Sequence, residues 1–398
     1  MKSCSVNGFL VVLGISGRVC RKQNYDFPPI SQNAGNDIGE SPYKWQIESL
    51  VMKRFEIING KCVIPEGTDY IEDYEFYCSD DLREIVFPES LSSIGREAFK
   101  GCWNLKEIHL PAGLVEIKDA AFSGCCSLEV IEVAKGNPIF SSEGNCCLTD
   151  DGKTLVFGCK ASVIPDTVET VGRAAFQWCE TLTGISIPDS VRNIENRAFY
   201  GCLALRDLKF SSSGNLLRIG ADSFSRCACL RVVTIPESVR KICAGAFSEC
   251  AYLWSINIPD GVTCIADGTF FGCRMLSKFS LPDSVTEIRR YAFCGCRNLE
   301  GLKIPASVHT IGSYAFSECG RDEGVKIPGT VRLLGREVSS IYVPEEIDDE
   351  DHLVENDLPF EIKTQLNMKA TTKYDIGDWV WSLRDNRAVR LDVTRVIV

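Results

Sequence analysis

The apolar residues of this chain recur on a fixed schedule. Residues 85–107 read IVFPESLSSIGREAFKGCWNLKE, and residues 108–130 read IHLPAGLVEIKDAAFSGCCSLEV. Residues 185–207, 233–255, 256–278, 279–301 and 302–324 keep the same frame, so the period is 23 residues. Within a period, Leu105, Ile108 and Leu110 alternate with polar neighbours, as do Leu253, Ile256 and Ile258. That spacing predicts a short strand with one face inward. Pro88, Pro111, Pro188, Pro236, Pro259, Pro282 and Pro305 come next. Lacking an N–H, each ends its strand and starts a turn. An apolar pair such as Val239 and Ile242 then turns back inward, and Ala-Phe follows, as in Ala98-Phe99 and Ala246-Phe247. The small residue lets neighbouring coils approach, and the large one fills the hollow between them. One coil of this length cannot bury its own apolar side chains, whereas stacked coils cover one another. The expected architecture is a β-rich solenoid, its short strands stacked into a curved parallel sheet, with turns or short helical segments on the other side.

Two places break the schedule. Between Ser211 and Leu217 the proline gives way to SSSGN, two residues longer than usual, which predicts a bulged surface loop. The larger break is the irregular insertion 133–163, where Asp151-Gly152 between β-rich runs reads as a hairpin turn. It predicts a small β excursion within the solenoid. Glycine follows the isoleucine at Gly95, Gly172, Gly220 and Gly312, but Lys118, Glu195, Cys243 and Arg289 stand there elsewhere. A positive φ is therefore not required at that position. The expected organisation is a tail over 1–51, a cap and first repeat over 52–84, repeats over 85–344, an acidic linker over 345–367 and a small β segment over 368–398. That last segment alternates like strands around Asp385-Asn386, as a two- or three-stranded SH3-like fragment would.

The phrase IPDSV…IENRAFYGCLAL of residues 187–205, repeated along the chain, resembles the BspA-like leucine-rich-repeat family. The resemblance covers residues 62–344, and the segment GNPIFSSEGN…LTDDGKTLVFGC resembles a variant repeat of such proteins. It implies a leucine-rich-repeat solenoid used for protein binding or adhesion, often at microbial cell surfaces, with no catalytic residues. The chain's start fits an exported protein poorly. Lys2 and the apolar residues 8–16 are leader-like, but Arg18 and Val19 precede Cys20 where a lipid-attachment cysteine wants a small residue. Met52 is a second candidate start, because the repeats begin just after it.

Composition narrows the chemistry. The 398 residues are 45% hydrophobic and 24% charged with a net charge of −11, so nucleic acid and anionic membranes are poor default partners. No apolar run is long enough to cross a membrane as a helix. Of 21 cysteines, Cys102, Cys125, Cys179, Cys202, Cys227, Cys250, Cys273, Cys296 and Cys319 share one place, three after the phenylalanine. They read as a column of buried thiols acting as small apolar filler. Stacked coils about 4.8 Å apart hold parallel Cβ atoms slightly too far apart for easy disulfides. So many free thiols suit a reducing cytosol or an anaerobic habitat. No C-x-x-C pair offers zinc ligands. His109, His309 and His352 fall in distant repeats, so no nucleophile–histidine assembly is suggested. The sequence implies no enzyme, cofactor or metal.

What remains is the outward row of the strands. One column runs Lys106, Glu129, Thr183, Arg206, Arg231, Trp254, and another His109, Glu132, Ser186, Lys209, Thr234, Asn257, with Lys303 further on. The candidate partner-binding face is Lys106, His109, Arg206, Lys209, Arg231, Trp254, Asn257 and Lys303, with Trp254 among cations resembling an interface hot spot. The expected partner is a protein or glycan. One rival reading makes the solenoid a scaffold whose acidic linker and C-terminal β segment do the binding, and another makes it an enzyme whose site the sequence does not reveal.

Overall fold

A computed structural model describes residues 54–211, 214–299 and 301–320, with short stretches beyond them. Met52, Cys20 and the acidic linker 345–367 lie outside the described residues, as does most of the leader-like stretch 8–16. The chain winds into a β-solenoid of about 11 turns. Successive coils pair in parallel at the sequence period: Ile108 faces Ile131 and Leu110 faces Val133 between Glu107–Leu110 and Val130–Val133. These I-x-I strands form sheet A, whose burial alternates, with Glu107 and His109 exposed and Ile108 and Leu110 buried.

Each coil carries a second strand where the sequence pattern predicts an inward turn. Tyr70–Ile71, Ser93–Ile94 and Glu116–Ile117 form one ladder, and Cys264–Ile265, Glu287–Ile288, Thr310–Ile311 and Leu333–Leu334 another. We call this row sheet B. The two extra residues of the 211–217 loop leave it in phase, since Ile194 still faces Ile219.

The third side of each coil is turn, and among the described residues there is no helix. Left-handed backbone explains this. Around Phe99, Glu97 has φ +53° and Gly101 φ +75°, and the pattern repeats at Arg197 and Gly201 around Phe199. Two such residues within five interrupt any run of helical dihedrals. The turn N–H groups are donated along the stack instead: Phe76 N to Ala98 O at 2.7 Å, Phe99 N to Ala121 O at 2.8 Å and Gly101 N to Ser123 O at 2.9 Å. The left-handed glycine thus lies six residues beyond the one the sequence drew attention to. Gly95 and Gly312 are needed for closeness, since a Cβ on either would sit 2.5 Å from backbone nitrogen of the preceding coil, at Asp73 and Arg290.

The core is a stack of rings. Phe76, Phe99 and Phe122 lie 4.9 and 5.1 Å apart, and Phe176, Phe199 and Phe224 are spaced at 5.0 Å, all nearly parallel. Ala98, Ala198 and Ala246 beside them are fully buried.

The cysteine column does more than fill space. Cys102 Sγ donates to Phe76 O at 3.1 Å, Cys202 to Phe176 O at 3.1 Å, Cys273 to Phe247 O at 3.1 Å and Cys319 to Phe293 O at 2.9 Å. Each thiol ties its coil to the one before through a buried carbonyl. All described cysteines are free thiols. Burial pushes the thiols of Cys125, Cys227, Cys250 and Cys273 well above the usual value near 9, and holds them protonated and unreactive. Cys264, half-buried and beside the Glu287 carboxylate, is pushed up to about 11, as is half-buried Cys294. A thiol-exchange reagent at neutral pH is therefore expected to titrate exposed Cys229 first and the column only after denaturant is added. Because the folded values are raised, stability is fully present below about pH 9. It falls as pH rises further, since the unfolded chain then ionises thiols that the folded chain cannot. Denaturant midpoints that stay flat from pH 8 to 11 would contradict this.

The excursion comprises β1 (Val130–Val133), β2 (Phe140–Glu143), β3 (Cys146–Thr149) and β4 (Thr154–Gly158). Strands β2, β3 and β4 pair antiparallel in sequence, with Asp151-Gly152 in the β3–β4 turn as expected. Strand β4 then pairs in parallel with β5 (Thr170–Val171), so the excursion enters sheet B. It also forms a partition. Cys147 and Phe157 pack with the core of residues 55–131, whereas Cys146, Leu148 and Leu155 pack with the core of residues 164–334. Phe157 continues the N-terminal ring stack, 4.6 Å from Phe122. Beyond the partition, β6 (Gly184–Ile187), β7 (Asn193–Ile194) and β8 (Asp207–Phe210) resume the regular coils. Outside the solenoid, Trp379–Arg384 pairs antiparallel with Arg387–Asp392 around positions 385 and 386.

Candidate binding surface

Sheet A points every second side chain outward, so its exposed row is set by the strand period. Lys106, His109, Arg206, Lys209, Arg231 and Lys303 are all exposed on it, while Trp254 and Asn257 are half-buried. The first two lie before the excursion. His109 is hemmed by acid, with Nδ1 3.0 Å from Glu132 and Nε2 3.7 Å from Glu107. Arg206 lies 3.6 Å from Asp207, and Lys209 and Arg231 make no ion pair among the described residues.

Arg206, Arg231 and Trp254 occupy one place in three successive coils, and Trp254 N donates to Arg231 O at 2.9 Å. The Lys278 ammonium of the next coil sits 4.8 Å above the Trp254 ring. The indole is thus already covered on one face by a cation, a contact worth about 0.5–1 kcal/mol at an exposed site. Asn257 is committed to the fold: its Oδ1 accepts from Ile235 N at 2.6 Å and its Nδ2 donates to Ile235 O at 2.9 Å. It thereby replaces a ladder rung where sheet A shortens. Of the eight candidates, Arg206, Lys209, Arg231 and Trp254 form one patch that Lys278 joins, Asn257 is spent on the fold, and Lys106, His109 and Lys303 stand at remote positions. Lys278 stands in a neighbouring column with residues as mixed as Lys61, Asp207 and Ser255, so its place over Trp254 is not marked by the repeat.

Three further features escaped the sequence reading. Tyr252, Met275 and Phe271 are exposed on the turn side. Tyr252 and Met275 share the repeat place that Asn104 and Asn298 fill elsewhere, which was the available signal. A cavity of about 200 Å³ lies beside the partition, among Phe122, Phe157 and Phe176. A larger groove of about 910 Å³ opens on the sheet A side between residues 162–166 and strands β6 and β8. Among the described residues no cluster of His, Cys, Asp and Glu is arranged to hold a metal, and no helix is long and apolar enough to cross a membrane.

The BspA type leucine rich repeat region profile matches residues 58–147, 158–273 and 217–340, in six copies. The chain belongs to this family. Among curated proteins no sequence matches it. Among solved structures, this BspA-type solenoid is similar to a leucine rich cell surface protein of Faecalibacterium prausnitzii, at 31% identity and TM-score 0.48 over 55% of this chain and 58% of that one. The chain therefore spans little more than half the length of that protein. A leucine-rich repeat protein of Eubacterium ventriosum shares the fold, at 22% identity and TM-score 0.55 over 65% of this chain and 76% of that one. The pneumococcal vaccine antigen PcpA is similar at 19% identity and TM-score 0.49, over 71% of this chain and 66% of that one.

Proposed function

We propose that this BspA-type solenoid is a binding module, and that it engages a protein or glycan partner through the outward row of sheet A in a role such as adhesion. One observation carries the reading. Inward positions hold the same kinds of side chain coil after coil, while the outward row varies and gathers Arg206, Lys209, Arg231 and Lys278 around Trp254 in a chain of net charge −11. A local positive patch on an acidic protein favours encounter with an acidic partner. The aromatic ring at its centre supplies contact area of the kind that dominates interface energetics.

The test is an array of purified extracellular proteins and acidic glycans probed with the intact chain and with its Arg206→Glu/Arg231→Glu variant. Both side chains are exposed, so the fold should tolerate the change. Binding should weaken at least about tenfold in the variant, and should weaken in the intact protein as salt is raised. Ligands that hold both proteins equally would place the binding surface elsewhere.

A further inference from the structure

Sheet A parts where the excursion returns to the solenoid, and it leaves a strand edge facing an open groove. Where sheet A is continuous the residue before the proline bonds forward, as Ile64 N donates to Val86 O at 3.0 Å. Its counterpart Ile164, before Pro165, makes no such bond to β6. The neighbouring residue shows why. Val163 N donates back to Gly144 O at 2.8 Å, Val163 O accepts from Cys146 Sγ, and Ser162 Oγ donates to Asn145 O, so this segment is tied to the excursion.

The edge of β6 is thereby vacated. Its bonds to β8 leave from Thr183, Ile185 and Ile187: Thr183 O accepts from Asp207 N and Ile187 O from Ser211 N. The main-chain groups of Gly184 and Ser186 point the other way, into the groove, and have no backbone partner among the described residues. Sheet A also lacks a ladder between Glu84–Val86 and Glu107–Leu110, between β8 and Val232–Val233, and beyond Ser255–Ile256, so what sets the β6 edge apart is the open groove beside it and the segment tied away from it. A second orphan lines the same groove. In other coils the serine of the P-x-S phrase donates to the preceding coil, as Ser238 Oγ does to Leu216 O and Ser284 Oγ to Val262 O, both at 2.8 Å. Ser190 Oγ, at that place, is buried without a partner.

The groove also has a chemistry. Val163, 71% exposed, and half-buried Phe210 give it apolar ground. Asp166, Asp189 and Asp207 line it against the single cation Lys209. Paired N–H and C=O groups at a strand edge recognise another extended backbone, and carboxylates around them recognise cationic side chains.

We infer that the groove takes an extended, lysine- or arginine-bearing peptide segment of a partner, added as a strand along the Gly184–Ser186 edge. This rests on the reading of the solenoid as a binding module, and it assigns a second contact with the opposite charge preference to the Arg206–Trp254 patch.

The probe is a fluorescent octapeptide of alternating lysine and valine, titrated into the intact chain and followed by anisotropy. Binding should be saturable. It should fall at least about tenfold when the peptide's alternate amides are N-methylated, when glutamate replaces lysine in the probe, and in an Asp166→Lys/Asp189→Lys variant. Ser186→Pro should abolish it, since proline removes an edge N–H without touching the β6–β8 bonds. The N-methylated probe keeps the test valid should that variant fail to fold. Equal affinity for the methylated and unmethylated probes, or no saturable binding at all, would overturn the inference. Arg231→Glu, at a residue that neither lines the groove nor pairs with a residue that does, should leave peptide binding intact, so failure of the groove and failure of the sheet A patch are read separately.

Discussion

Phe199→Ala is expected to cost roughly 3–5 kcal/mol of stability, the range for emptying a buried aromatic site. The ring is fully buried and stacked at 5.0 Å on both Phe176 and Phe224, so its loss strips a neighbour from each. The backbone cannot close the gap. Phe199 N donates to Ser223 O at 2.7 Å and Phe176 N to Ala198 O at 2.7 Å, which fixes the coil spacing independently of the side chain. The cavity therefore persists. A urea titration followed by far-ultraviolet circular dichroism reads the shift. Removing Phe55, which among the described residues stacks on Phe76 alone, at 6.0 Å, should cost distinctly less. Equal losses at the two sites would mean that the stack is not where the cooperativity resides.

Phe157→Asp is expected to divide the molecule. The side chain belongs to the N-terminal core and stacks on Phe122, while Leu155, two residues earlier on the same strand, belongs to the C-terminal core. A carboxylate there takes the place of a ring packed on Phe122 within the N-terminal core, a change in the class that costs more than about 4 kcal/mol. In a stack of coils each contacts mainly its neighbours, so the damage should stay on one side of the partition. Native-state hydrogen exchange should show the amides of Ile94 and Ile108 losing protection while those of Ile194, Ile242 and Ile288 keep theirs. Leu155→Asp should do the reverse. Uniform loss of protection in both variants would show that the excursion does not separate two cores.

The reach of the sequence can be judged from particular residues. The period and the sheet A strands were readable because Ile108, Leu110 and their successors alternate over enough positions to declare a face. Sheet B was not readable as strand. Ser93–Ile94 and its equivalents are two residues long, too short for alternation to differ from a turn. The β3–β4 turn announced itself through Asp151-Gly152. The β2–β3 turn is as clear in structure, with Gly144 at φ +59° and Asn145 at φ +57°, and its signal in the sequence is the Gly-Asn pair. The left-handed positions hid because residues as different as Trp178, Arg226 and Glu249 fill the place of Gly101. The thiol column was located correctly but credited with bulk alone, since a donor's target in another coil cannot be inferred from its own repeat. On the candidate surface, exposure followed from the period, whereas the commitment of Asn257 to Ile235 and the cover of Lys278 over Trp254 depend on coil spacing. The β6 groove depends on where residues 159–164 return, which lies beyond any periodic rule.

The central claim is that coils stack at constant spacing and expose one row of sheet A. It is tested most directly by spin labels introduced through an unnatural amino acid at Ser186 paired in turn with Thr234, Ser280 and Lys303. Dipolar spectroscopy should return separations that grow steadily with the number of intervening coils, by about 4.8 Å for each. Separations that do not increase in that order would contradict the stack and the binding row built on it.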